Sequence, residues 1–151
     1  MAKRAFVSTW GMPADEWAAC RERMRSLLVG VAAGRSTITY GEISTAVFAR
    51  RFSARSSALA QMLEEVCTLE DKDNGVSLAA IVVRADTGIP GIGYFAFAHN
   101  VLGRALDPLD PADCRRFWEQ EVACVWAAFE EHARTGNRTD GQAAAQTDHD
   151  G

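Results

Sequence analysis

The 151-residue sequence predicts a single α+β domain, mainly helical, with a helix-turn-helix outline and a small β element. Three observations carry this reading. Thr39 and Glu42 stand three residues apart, the capping-box spacing in which each side chain satisfies an orphan amide at a helix start. A few residues later Leu59, Met62, Leu63 and Val66 recur on one helical face behind Ser53, a good N-cap, so a second helix follows a short turn. Beyond it, Ala80-Ile81-Val82-Val83 is a short β-branched run between turn residues and reads as a strand.

Taken in order, residues 1–11 are expected to form a flexible arm. The first helix opens at Pro13, which suits a first helical turn, with Asp15 and Glu16 near the positive end of the dipole. Trp17, Cys20, Met24, Leu27, Leu28 and Val31 give it an apolar face, and Gly34 is placed to close it in a left-handed conformation. The capped helix from Tyr40 is expected to run to about Arg51, and the third helix from its Ser53 cap to Leu69. Glu70 to Gly75 then reads as a charged turn ending in Asn-Gly. The strand near residues 78–84 leads into a turn at Ala85-Asp86-Thr87-Gly88. A short helix is expected over Tyr94–Leu102, and a last one starts at Asp110-Pro111 and runs to about Arg134. The domain is therefore bounded at 12–134. From 135 to 151 small and polar residues replace large apolars, so a disordered acidic tail is expected.

Trp118, Val122, Val125, Trp126 and Phe129 lie on one face of the last helix. Such a stripe serves either as a cover that packs across the first helix or as a homodimer seam through Trp118, Trp126 and Phe129. No stretch approaches about 18 uninterrupted apolar residues and the start carries no apolar leader, so no membrane partner and a cytoplasmic location are expected. Cys20, Cys67, Cys114 and Cys124 lie far apart without Cys-x-x-Cys spacing, which points to reduced, buried thiols and no zinc site.

The net charge of −4 is unevenly spread. Residues 107–151 hold ten acids and four arginines, whereas residues 34–57 set Arg35, Arg50, Arg51 and Arg55 against Glu42 alone. A local basic patch thus coincides with the helix-turn-helix. It is either a phosphate-facing surface or a solvated arginine-rich one.

The stretch Thr39-Tyr40-Gly41-Glu42-Ile43, then Ala54-Arg55 opening an apolar helix, resembles the winged-helix DNA-binding domain of the O6-alkylguanine-DNA alkyltransferases and alkyltransferase-like proteins. The likeness covers roughly residues 35–85. It implies a winged helix, with the Tyr40 position near the backbone of a target nucleotide and the Arg55 position filling the space left by a flipped base. The family's Pro-Cys-His-Arg segment is missing: the corresponding stretch reads Leu78-Ala79-Ala80-Ile81-Val82-Val83-Arg84. Alkyl transfer needs an activated thiolate. The resemblance therefore implies DNA binding without that chemistry.

Among the titratable residues no catalytic constellation stands out. His99, His132 and His149 are not spaced for a metal or a triad, and the adjacent acids Glu64-Glu65 and Glu130-Glu131 point in different directions on helices. No cofactor is expected. Gly88, Gly91 and Gly93 form a glycine-rich loop that either holds a phosphate on free amides or serves as a tight connection; it fits neither a P-loop nor a dinucleotide fingerprint. The leading expectation is a non-enzymatic protein that binds duplex DNA. Arg55, Ser56, Ser57 and Gln61 would face the groove behind Ser53, with Thr39, Tyr40, Arg50, Arg51 and Arg84 on phosphates. The alternative is a protein-interaction or assembly module that keeps the helix-turn-helix shape for packing.

Overall fold

The computed structural model describes residues 10–150, with side chains for residues 10–130. The expected arm lies outside it up to residue 9, and the last helix, expected to end near Arg134 ahead of a tail, runs on to Asp150. Helix α1 (Ala14–Ala33) is followed by β1 (Ile38–Thr39), α2 (Tyr40–Phe48), α3 (Ser57–Asn74), a 3-10 turn (Leu78–Ile81), β2 (Val82–Val83), α4 (Ile92–Asn100) and α5 (Pro111–Asp150). The class is helical α+β, as the sequence implies. The two strands pair in parallel, Ile38 with Val82 and Thr39 with Val83. No described helix is long and apolar enough to cross a membrane.

The core sits where α1, α3, α5 and the 3-10 turn meet. Helix α1 buries Trp17, Cys20, Met24, Leu28 and Ala32, the 3.6-residue stripe legible in the sequence. Helix α5 packs across α1, burying Phe117, Val122, Val125 and Phe129. Its tryptophans find partners within the chain: Trp118 Nε1 donates to the Ala80 carbonyl at 2.8 Å and Trp126 Nε1 to the Ser36 carbonyl at 3.0 Å. The Arg35 guanidinium lies over the Trp126 ring, 5.3 Å from its centroid. The stripe containing Trp118, Trp126 and Phe129 packs within the chain as the covering helix, the first of the two readings.

Several boundaries differ from the sequence reading, each for a local reason. Helix α2 stops at Phe48 and does not reach Arg51. Ala49 and Arg50 are both left-handed (φ 50° and 70°), the Arg50 amide bonds the Ser44 carbonyl, and Ser44 Oγ donates to the Phe52 carbonyl at 2.6 Å. The cap of α3 is Ser56, whose Oγ accepts from the Ala58 and Leu59 amides; Ser53 closes only a turn, accepting from the Arg55 amide. Arg55 consequently lies in the turn ahead of α3. Helix α3 continues through the expected charged turn to Asn74, because Glu70 is buried with its carboxylate bonded to Arg25 (2.6 Å) and Asn74 (2.8 Å). Only Val82–Val83 of the expected strand at 78–84 is extended, and α4 starts at Ile92, two residues before the expected Tyr94, and ends at Asn100. Gly34 has φ −86°, and the left-handed position after α1 is Arg35.

The capping box forms as expected, with the Glu42 amide donating to Thr39 Oγ1 (3.1 Å) and the Thr39 amide to Glu42 Oε1 (2.9 Å). Thr39→Ala should cost about 1 kcal/mol of stability, read as a lower urea midpoint with an unchanged slope. Thr39→Ser should restore most of it.

Candidate nucleic-acid interface

A cleft of about 570 Å³ opens where the start of α2 faces the start of α4. One wall is Thr39, Tyr40, Gly41, Ala54 and Arg55. The other is Arg84, Ala85, Asp86, Gly91, Ile92 and Gly93. The parallel β1–β2 pair sets this juxtaposition, since α2 begins directly after Thr39 and the chain leaves β2 at Arg84.

The two walls are tied by one hydrogen bond: the Gly91 amide donates to the Tyr40 hydroxyl at 3.2 Å, across 51 residues of sequence. Burial raises the Tyr40 pKa, opposed by that amide and by the nearby Arg84 charge, so the phenol stays neutral at ordinary pH. A second, smaller cavity of about 200 Å³ adjoins Tyr40 and Gly93 and is lined also by Leu63, Ala79, Tyr94 and Phe97. Glu64 reaches it too, and partial burial raises that carboxyl's pKa.

Behind the α4 wall lies a polar network that holds it in place. Ser77 Oγ and the Tyr94 hydroxyl are 2.6 Å apart, and Glu121 of α5 accepts from the Ser77 amide (2.8 Å) and its Oγ (3.0 Å). Arg104 bonds Asp71 and the Gly75 carbonyl, and reaches Glu121 at 3.6 Å. Burial pushes the Tyr94 phenol well above its usual range, so it remains a neutral hydrogen-bonding group. Among the described residues no buried side-chain polar atom lacks a partner.

The charges of the cleft divide unequally. Arg84 forms a two-pronged pair with Asp86, Nε to Oδ1 at 2.9 Å and Nη2 to Oδ2 at 2.8 Å. That pairing pulls the Asp86 carboxyl down to about 2. Its folded-state pKa is depressed, so any stability the pair contributes is fully present above the ordinary carboxylate range and is lost as pH falls through about 2. In an NMR titration Asp86 should show a midpoint near 2, and Arg84→Gln should return it to the ordinary range. The side chains of Arg50 and Arg55, in contrast, have no hydrogen-bond or ion-pair partner among the described residues.

The expected interface residues are thus split. Thr39, Tyr40, Arg55 and Arg84 converge on the cleft, joined by Gly91 and Gly93 of the glycine loop, while Gly88 takes φ 76° in the turn before it. Ser53 and Ser56 serve as turn and helix cap, and Ser57 is exposed at the first turn of α3. Arg51 is engaged elsewhere, bonding Glu16 (3.4 Å) and the Gly11 carbonyl (3.0 Å) and lying over Phe52. Gln61 accepts from Trp10 Nε1 (2.9 Å) and donates to Glu65 (3.1 Å). Five cleft residues, Gly41, Ala54, Ala85, Asp86 and Ile92, stand outside the expected interface. Asp86 had a readable signal, its two-residue spacing from Arg84; Ile92 had none.

Cys20, Cys67 and Cys114 are buried, Cys124 is exposed on α5, and no sulfur lines the cleft. Burial pushes the Cys67 thiol up to about 12, far from the thiolate range. His99 faces the Arg104 carbonyl at 3.2 Å. No group of three His, Cys, Asp or Glu among the described residues is arranged to hold a metal ion. Compared with known proteins, the chain matches no family model, no curated protein and no solved structure.

Proposed function

We propose that the chain is a non-enzymatic DNA-binding protein that docks duplex DNA at the α2–α4 cleft, in the manner of a winged helix-turn-helix. The observation that carries this reading is the placement of Arg55: a guanidinium with no partner among the described residues, lining the same cleft as a neutral tyrosine. An arginine that stabilises a fold normally has a carboxylate or carbonyl in reach, as Arg25, Arg51 and Arg104 do here. Arg50, likewise without a side-chain partner among the described residues, lies five residues away on the same exposed turn. Phosphate contacts from such arginines supply sequence-independent affinity.

The rest of the surface limits how much of the protein DNA can touch. Past its first turn, the exposed side of α3 carries Glu64 and Glu65, which repel phosphate. Contact is therefore confined to the Tyr40 end of α2, the 49–57 turn and the Arg84–Gly93 connection. With Ala79 and Ala80 where the resembled family has its reactive segment, incubation with DNA bearing O6-methylguanine should leave every cysteine unmodified by mass spectrometry.

Adding a short duplex to isotope-labelled protein tests the location. Amide shifts confined to residues 39–41, 49–57, 84–86 and 91–93 are expected. Shifts confined to the outer face of α5, or none at low salt, would overturn the reading in favour of an assembly module.

A further inference from the structure

Ile92 is the feature of the cleft that packing does not account for. It is 75% exposed although it opens α4, whose large apolar residues Tyr94, Phe95 and Phe97 are buried. The other exposed large apolars among the described residues, Trp10, Leu69, Val101 and Leu109, lie outside the cleft that Ile92 lines. Glycines flank it on both sides. A Cβ at Gly93 would meet no protein atom within 4 Å, so there is open space beside the side chain for another molecule.

The electrostatics of the two walls give this side chain a direction of use. Arg55, on the first wall, is free to meet a phosphate. Arg84 and Asp86 neutralise each other on the second, leaving it uncharged around Ile92. A duplex seated with its backbone on the first wall would bring base edges against the second, where an aliphatic group fits and a phosphate gains nothing. Proteins that insert an apolar side chain between base steps unstack them, and the unstacking is offset by the new contact surface.

Resting on the DNA-binding reading above, we infer that Ile92 is a wedge that enters a base step of the bound duplex and partly unstacks it, with Arg55 holding the adjacent phosphate. The two residues then separate by chemistry: Ile92 sets deformation of the stack, and Arg55 sets the salt-dependent part of the affinity.

The test uses the full chain and duplexes carrying 2-aminopurine at successive positions, whose fluorescence rises when a base loses its stacking neighbours. The wild type is expected to bind and to raise the signal at one or two adjacent positions. Ile92→Ser should abolish that rise at saturating protein and lower affinity about tenfold, with the dependence on salt unchanged. Arg55→Ala should keep the rise at saturation while flattening the salt dependence. Wild-type binding without any rise, or a rise that survives Ile92→Ser, overturns the wedge and leaves the DNA-binding reading intact. Failure of the wild type to bind overturns both. Ile92 is exposed, so its replacement leaves the folded chain available for the measurement.

Discussion

Ile43→Ala is expected to destabilise the fold by about 2–5 kcal/mol. Ile43 has no exposed surface and is the innermost side chain of α2, a helix of only nine residues. Helices this short are held by their packing, because propensity alone does not sustain so few hydrogen bonds. The cost exceeds that of the Thr39 cap because truncation removes apolar contact and leaves a void in the core that its neighbours cannot fill without shifting. The effect should reach the cleft, since α2 carries Tyr40 on its first residue. Denaturant unfolding gives the loss of stability. Ile43→Val, which removes one methylene, should cost only about 0.5–1.5 kcal/mol. Equal stability of the alanine variant and the wild type would mean that α2 is not anchored through this residue.

The second large effect belongs to binding. Arg55→Ala is expected to weaken duplex affinity by about 1–3 kcal/mol while leaving the melting temperature almost unchanged. Both halves follow from its surroundings: the side chain makes no ion pair or hydrogen bond among the described residues, so the folded chain loses nothing when it is cut back. Arg50→Ala should give a smaller loss that also flattens the salt dependence, because Arg50 is exposed on the turn and outside the cleft lining. Arg51→Ala is the contrasting variant. Its guanidinium holds the Gly11 carbonyl and Glu16, so its removal should lower stability in preference to affinity.

What was legible in the sequence was local. The capping box at Thr39 and Glu42 needs only three residues of spacing, and it placed the start of α2 to the residue. The helical stripes of α1, α3 and α5 rest on a 3.6-residue period that no tertiary contact alters. Boundaries were lost where two local signals compete. Ser53 and Ser56 are equally good caps in isolation; in the fold Ser56 takes the Ala58 and Leu59 amides, and Ser53 takes only the Arg55 amide. The run Leu78–Val83 reads as a strand by its β-branched residues. Most of it forms a 3-10 turn because the Ala80 carbonyl is taken by Trp118 from a helix 38 residues on.

The site was legible only in pieces, since the basic turn and the glycine loop each have a local signature. Their union is a hydrogen bond between Tyr40 and Gly91, residues 51 apart, and no periodicity or spacing encodes such a contact. Nor is a free arginine distinguishable from a paired one before the fold is known: Arg50, Arg51 and Arg55 form one cluster in sequence and have three different surroundings in space.

The central claim is that the Tyr40–Arg55 cleft holds duplex DNA through phosphate contacts. Its most direct test is the affinity of the intact chain for a random duplex across a salt series. With Arg55 and Arg50 on phosphates and Arg84 held by Asp86, log affinity should fall against log salt with a slope of about −2, and Arg55→Ala should make the slope shallower by about one. No measurable binding at low salt, or binding whose strength does not change with salt, would contradict the account.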